Sequence, residues 1–419
     1  MSAGLTLDGL FRRAGVRNAQ APALVDPPNR VAFTDGAPRA LAFAQADRAI
    51  SAFAATLRSL GLSTGTIVGL QLPNTAESVI ALLGIVRAGM VAAPLPVLWR
   101  RQEMAEALRN AGAKAIVTAA RIGGTRHAEL AMEVAAELFP IRQICAFGDD
   151  LPDGVVPLDG VFAGGTAVPP PRRLGDVSAQ VIAMTFDVTA DGIAAVPHDH
   201  ARLLEAGAAL AEATGLALDA PIVSTIPLSS FGGLTATLMP WLIVGGALHL
   251  HHGFDADAFA AQSAAMNDGA VVLPGPALGA LANAVAGSNR TVALWRAPLG
   301  AAAQTPSPNI VDCVPFEETS AIAAARGADG LPDPEVVNAA ARIGKPGTVA
   351  VGAYQFGQRA LDAAVAAADP TAVIAALPDA LLGNRLAGHA GDAARIAAGL
   401  AARGANPLVA HAFRPRSVS

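Results

Sequence analysis

The sequence predicts an α/β fold with parallel sheets: a large domain of two doubly wound halves, then a small, reduced α/β tail. Three observations carry this. The chain has 419 residues, more than the roughly 100–200 of one ordinary domain, so it has room for a large core and more than one unit. It is 53% hydrophobic, yet 42 Gly and 30 Pro cut the apolar runs into pieces of strand or helix length. Those pieces alternate between strand and helix, the order that builds a parallel sheet with right-handed crossovers.

Apolar residues recur at helical spacing over 41–60 and stop at Gly61, which predicts a first helix. Residues 67–72 read as a buried strand, 74–88 as an amphipathic helix ending at Gly89, and 90–95 as a strand stopped by Pro94 and Pro96. Helix and strand repeat at 102–111 and 113–118, and again at 126–139 and 143–147. The segment 149–175 is rich in Pro and Gly, with the run Pro169 to Pro171, and is the expected boundary between a first half at 1–170 and a second at 171–345. Within the second half, 179–184 is β-compatible, 201–214 helical, 222–226 a strand and 233–244 a buried helix. Strands follow at 247–250, 271–273 and 310–314. Composition shifts near 331–346. Beyond it, the Ala-rich tail at 346–419 carries a helix, a short strand at 372–377 and a helix at 392–403.

Several function classes are excluded. The nearly uncharged stretch 224–250 is long enough for a bilayer but is broken by Pro227, Gly232, Gly233, Pro240, Gly245 and Gly246, so no membrane span is expected. The first residues lack the order of a signal peptide, and a cytoplasmic protein is expected. Cys145 and Cys313 are far apart and in no metal-ligand spacing, which supports neither a disulfide nor a zinc site. A net charge of −5 offers nucleic acid no electrostatic attraction. Lysine occurs only at Lys114 and Lys345; every other basic side chain is Arg.

The stretch GLQLPNTAESVIALLGIVRAGMVAAPLPVLWRRQEMAEALRNAGAKAIVT, from Gly69 to Thr118, resembles the amino-terminal signature of the adenylate-forming superfamily of acyl- and aryl-CoA synthetases, luciferases and nonribosomal peptide adenylation domains. The likeness continues through VPHDHARLL at 196–204, the segment 226–250, and PDALLGNRL at 378–386, which is similar to the start of the family's carboxy-terminal lid, here shortened. The resemblance implies an acyl-CoA synthetase-like fold and an AMP-forming carboxylate–CoA ligase. In that chemistry a carboxylate attacks the α-phosphate of ATP and the acyl group passes to a thiol, which calls for a Gly-rich phosphate loop, a Lys and Mg²⁺.

Motif by motif, this chain departs from the family. The phosphate loop, approximately T-S-G-T-T-G-x-P-K-G, has as its counterpart Phe186, Asp187, Val188, Thr189, Ala190, Asp191, Gly192, Ile193, Ala194 and Ala195. Val188 replaces a flexible Gly, Ala194 removes the Lys, and Asp187 and Asp191 bring carboxylates to the place of phosphate oxygens. Two like charges at about 4 Å repel by roughly 4 kcal/mol at an effective dielectric near 20, so a triphosphate is disfavoured. The other reading of this segment is a solvated loop under no constraint.

The wall of the acyl pocket corresponds to Pro227-Leu228-Ser229-Ser230-Phe231-Gly232-Gly233, without the family's His. Ser230, Phe231 and Gly232, facing Gly300 and Ala301, are the ligand-binding candidates this implies, with Phe231 as plain core the alternative. The motif Y-G-x-T-E becomes Phe316-Glu317-Glu318-Thr319-Ser320. Phe316 and Thr319 are further ligand candidates, whereas Ser320 removes the metal ligand, and neighbouring Glu317 and Glu318 are expected to point apart. The ribose-binding Asp of T-G-D is missing from 344–360, and the terminal Lys is missing too; Arg414 and Arg416 are poor substitutes. His249, His251 and His252 fit a strand end or helix start better than a metal site, and His198 and His200 belong to the fold of the altered loop.

The expectation is a noncatalytic or strongly altered relative, a pseudoenzyme with a degenerate phosphate loop, no catalytic or metal residue, and a pocket for a small hydrophobic carboxylate or acyl-CoA. ATP, Mg²⁺ and CoA are needed only if the alternative holds, an active ligase with atypical motifs. A third reading is a structural partner, as a homodimer or beside another enzyme of acyl metabolism.

Overall fold

The computed structural model describes residues 5–163, 177–264, 266, 268–288, 290–296, 298–299, 303, 307, 309–352 and 354–413. Two large sheets dominate. The first runs, in spatial order, Gly192–Asp199, Val181–Thr189, Val91–Pro94, Ile67–Gln71, Ala115–Ala119, Gln143–Phe147 and Val156–Pro157, parallel except for the hairpin at its edge. The second runs Ser320–Ala325, Ile310–Phe316, Arg290–Leu294, Ala270–Pro274, Ile222–Ser224, Leu248–Leu250, Pro22–Val25 and Ala40–Ala42, parallel inside and antiparallel at both edges. The central strands are short, apolar and buried, as parallel strands covered on both faces are.

Each sheet takes strands from both sides of the Pro- and Gly-rich segment. The hairpin at 181–199 joins the first sheet, while Pro22–Val25 and Ala40–Ala42 join the second. The run Pro169 to Pro171 lies outside the described residues. One apolar core contains side chains of both sheets and of the helices Phe43–Ser59, Ala76–Arg87, His200–Thr214 and Met239–Val244.

The helix Ala76–Arg87 is buried at every residue. Thr75 caps it without a side-chain bond; Asp26 Oδ1 instead accepts from Ala76 N at 2.7 Å. Arg30 then bridges Asp26 (2.5 Å) and Glu77 (2.5 Å), and Arg39 also reaches Glu77. Asn74 Nδ2 donates to Ser224 O (3.0 Å) and His251 O (3.2 Å), tying the helix start to the second sheet. A Cβ at Gly84 would stand 2.6 Å from Phe53 Cδ1, so only glycine lets these two helices approach so closely.

The uncharged stretch 224–250 folds as strand, helix and strand, with a π-helical segment at Leu234–Leu238. Among the described residues no helix is long and apolar enough to cross a membrane. Cys145 and Cys313 are free and buried, one in each large sheet, and burial pushes both thiols up to about 12.

The tail has its own core, centred on Phe356, Val365, Ile396, Leu400 and Phe413. It contains the hairpins Thr348–Val351 with Tyr354–Gly357 and Val373–Asp379 with Gly383–His389, and the helices Gln358–Ala368, Ala393–Ala402 and Pro407–His411. The sequence reading expects two helices and the strand at 372–377 but misses the helix Pro407–His411 and the other three strands, the strands because pairing is a long-range property.

Candidate functional site

The segment equated with a phosphate loop is a β-hairpin. Asp187 pairs with Ala194 and Thr189 with Gly192, leaving Ala190 and Asp191 as the turn. Gly192 has φ +136°, and a Cβ there would meet Glu106 Oε1 at 2.3 Å, so this position requires glycine. Thr189 Oγ1 accepts from Asp191 N (3.2 Å) and donates to Gly192 O (3.0 Å). Ile193 N donates to Glu106 Oε1 (2.8 Å), and Asn110 Nδ2 donates to Ile193 O (2.7 Å), which anchors the hairpin to the helix Arg101–Ala111. Ala194, in the place of the family's Lys, is exposed.

The carboxylates of this hairpin are countered by the tail. Lys345 Nζ sits on both oxygens of Asp187, and Arg359 Nη1 lies 3.4 Å from Asp191. Charge repulsion read from the hairpin alone was therefore incomplete, because its partners lie over 150 residues away. Gly347 lies close to Ala190, and Gly357 close to Thr189 O, so the tail rests on the turn itself.

Ser230, Phe231 and Gly232 stand at a helix start. Ser230 Oγ accepts from Gly233 N (3.0 Å), and Phe231 is fully buried, its ring 5.1 Å from that of His198. A Cβ on Gly232 would stand 3.1 Å from Pro315 Cγ and 3.3 Å from Leu294 Cδ1, so the space beside this glycine is filled by protein. Gly300 and Ala301 lie outside the described residues, as do Arg414 and Arg416.

Phe316 opens a tight turn in which Glu317 (φ 44°) and Glu318 (φ 55°) are both left-handed, a conformation costing non-glycine residues of order 1 kcal/mol or more each. Thr319 N and Oγ1 both donate to Phe316 O, at 2.7 and 3.2 Å. Both glutamates line one cleft, and Glu318 also accepts from Phe231 N (2.5 Å) and Arg296 Nη2 (2.8 Å). The Glu318 carboxylate is thus already engaged.

A cleft of about 730 Å³ brings together Asp187, Phe316, Glu317 and Glu318 with Arg296, Arg342, Lys345 and Tyr354. Burial pushes the Tyr354 phenol above its ordinary value, opposed by the nearby Arg100 and by a hydrogen bond with the Leu98 backbone. Ser230, Phe231, Gly232, Thr319 and Ala194 do not line it. A second cavity, of about 440 Å³, takes in Thr189, Asp191 and Gly192. Arg296 and Tyr354 carried no motif in the sequence. Lys345 did carry a signal, its rarity, but nothing local pointed to its partner.

His198, His251 and His252 are engaged in structure. His251 Nδ1 bonds Gln262 Oε1 (2.7 Å) and its Nε2 accepts from Asp255 N (3.3 Å), while the His252 ring packs on Phe33. His198 Nε2 meets Thr185 Oγ1 at 2.7 Å, and burial, aided by Arg202, lowers its pKa to about 4. No group of three or more His, Cys, Asp or Glu among the described residues is arranged to hold a metal ion.

Residues 17–157 match the family model described as AMP-binding enzyme. Over 156 residues the chain is 35% identical to human long-chain fatty acid transport protein 1, a match covering 37% of this chain and 22% of that protein. Over 116 residues it is 33% identical to the long-chain-fatty-acid–CoA ligase of Salmonella typhimurium, covering 28% of this chain and 19% of the ligase. The matched segments thus span about a fifth of these relatives' length. The structure of an ATP-bound RpMatB-BxBclM chimera superposes with a TM-score of 0.64 at 15% identity, covering 96% of this chain and 93% of the chimera, and shares its fold. Residues 17–157 are thus similar in sequence to AMP-binding enzymes, and the chain as a whole shares the fold of the ATP-bound chimera.

Proposed function

We propose that this chain is a noncatalytic acyl-CoA synthetase-like protein that binds a small hydrophobic carboxylate, or its CoA thioester, in the 730 Å³ cleft without adenylating it. The observation that supports this reading best is the seat of Lys345 on Asp187. The segment in the place of a phosphate loop is a closed hairpin, its carboxylate already holds a cation, and Asp191 N and Ile193 N are already donors within the protein. Glu318, held by Phe231 N and Arg296, is equally committed. These residues do not fit ATP and Mg²⁺.

Binding without chemistry is a different matter. Phe316 and Tyr354 offer apolar faces in the cleft, and Arg342, which is engaged with neither Asp187 nor Glu318, offers positive charge to a carboxylate. The ligand is therefore assigned to this cleft and not to the packed space beside Gly232. The reading includes a cytoplasmic location and a lid-like role for residues 346–419.

Two measurements test it. Titration with MgATP at millimolar concentration gives no saturable heat, and pyrophosphate exchange stays at background. A micromolar Kd or measurable exchange restores the active-ligase reading, which the ligase relatives favour. A panel of fatty and aryl carboxylates and their CoA thioesters raises the melting temperature, and Phe316→Ala removes the effect. If no compound acts, the structural-partner reading takes its place, and copurification tests that.

A further inference from the structure

The cavity of about 440 Å³ is built jointly by the large domain and the tail. Trp99, Val188 and Ile193 supply apolar wall from one side, and Phe356, Leu361 and Val409 from the other. Its volume and its mostly apolar lining, broken by a few polar groups at a domain junction, are those of a small-molecule site.

The charge on this wall is one-sided. Three carboxylates, Glu103, Glu106 and Asp191, face one guanidinium, Arg359. Asp191 and Arg359 pair with each other at the exposed rim, 87% and 82% solvent-accessible, which leaves Glu103 and Glu106 inside. They stand three residues apart on the helix Arg101–Ala111 and so share one face. Glu106 accepts from Ile193 N (2.8 Å), while Glu103 closes the capping box of this helix: it accepts from Arg100 N (3.1 Å) and is further stabilised by its own backbone N–H and by Asn406. An ionised carboxylate has lone pairs to spare beyond such bonds.

Arg100 stands beside Glu103 and offsets part of the cost of burying it, yet desolvation still dominates and raises the Glu103 carboxyl. The Arg100 guanidinium donates elsewhere, to Val97 O (3.0 Å), Trp99 O (3.0 Å) and Thr125 Oγ1 (3.1 Å). The site therefore holds two half-buried carboxyl groups with aromatic surface next to them, and among its lining residues the one cation is Arg359, paired with Asp191 at the rim.

We propose that this cavity binds a small hydrophobic amine, its ammonium directed to Glu103 and Glu106 and its apolar body against Trp99 and Phe356. A carboxylate or phosphate would meet like charge here, and a neutral molecule would bring the two carboxyl groups no counter-charge. Cation–aromatic attraction adds to the preference. Because the ligand touches both the large domain and the tail, it holds the tail in its docked position. The inference uses neither the 730 Å³ cleft nor Phe316, so it stands or falls apart from the proposed function.

The test is thermal unfolding of the full chain with phenethylamine, tryptamine and hexylamine, each matched with the alcohol of the same shape: 2-phenylethanol, tryptophol and hexanol. The amines raise the melting temperature saturably, as ligands of the folded state do, and bind at least tenfold more tightly than the alcohols. Glu103→Gln keeps the shape and weakens the amines about tenfold. Ala405→Trp fills the cavity and abolishes the effect; if that variant does not fold, Leu361→Phe replaces it. Amines and alcohols acting alike, no shift with any amine, or an amine effect that survives both Glu103→Gln and the filled cavity overturns the proposal.

Discussion

The entrance to the helix Ala76–Arg87 and the tip of the hairpin at 181–199 each bring acids and bases together, but at opposite depths. At the helix, the side chains of Asp26, Arg30 and Glu77 are at most 3% exposed. At the hairpin, Lys345 and Asp187 are 21% and 14% exposed, and Arg359 and Asp191 lie almost wholly in solvent. Charges at the helix fix how the two sheets meet, and none can be lost without stranding the others. Those at the hairpin join the body to the tail, where water can take over from a missing partner. The matched block at 17–157 holds the first set, and the altered hairpin lies beyond it.

The comparison breaks most visibly at Arg30. Arg30→Met leaves Asp26 and Glu77 buried side by side with only the partly exposed Arg39 between them, and unfolding by urea should show a loss of about 3–5 kcal/mol. A loss below 1 kcal/mol would mean that the network is solvated and that the contrast in depth is false.

A pH titration sharpens the same contrast on the hairpin's inner face. His198 falls to about 4 from its ordinary 6.5, mainly through burial, with Arg202 adding and Asp199 opposing. Between these values the unfolded chain takes up a proton that the folded chain does not. Stability is therefore complete above about pH 6.5 and declines toward pH 4 by about 1.4 kcal/mol per unit for this group. His198→Gln should flatten the decline by that amount in denaturation curves at pH 4.5, 5.5 and 6.5; an unchanged slope would show that His198 titrates as it does in water.

Lys345→Ala comes next in size. The pair is only partly buried, so the expected cost is about 1 kcal/mol, felt in the docking of the tail more than in the body. Amide exchange should quicken in Thr348–Val351 and Tyr354–Gly357 and stay unchanged in Ile67–Gln71. Arg359→Ala, at the fully exposed pair, serves as the control and should change neither.

Much of the scaffold was legible because helical periodicity and Gly punctuation are local signals. The helix expected at 74–88 is Ala76–Arg87, and the strand expected at 67–72 is Ile67–Gln71. What escaped was non-local. The strands Pro22–Val25 and Ala40–Ala42 gave no sign of their place in the second sheet, since that depends on the partner Leu248–Leu250. At the site, the sequence marked Asp187 and Phe316, which do share a cleft. It also marked Phe231 and Gly232 as a pocket wall, and the structure packs both inward. No local pattern distinguishes a glycine that leaves room for a ligand from one that leaves room for Pro315.

The two cysteines lend themselves to a use unrelated to ligands. Cys145 lies in one large sheet and Cys313 in the other, each buried with its thiol held protonated up to about 12. Only the thiolate reacts, so neither sulfur can be alkylated until its own strand leaves the sheet. The chain thus carries two built-in clocks: with one cysteine replaced by Ala, the speed at which the other is labelled counts how often that half of the molecule opens. Equal rates would mean that the shared helical core makes the sheets open as one unit, and unequal rates would tell which half gives way first.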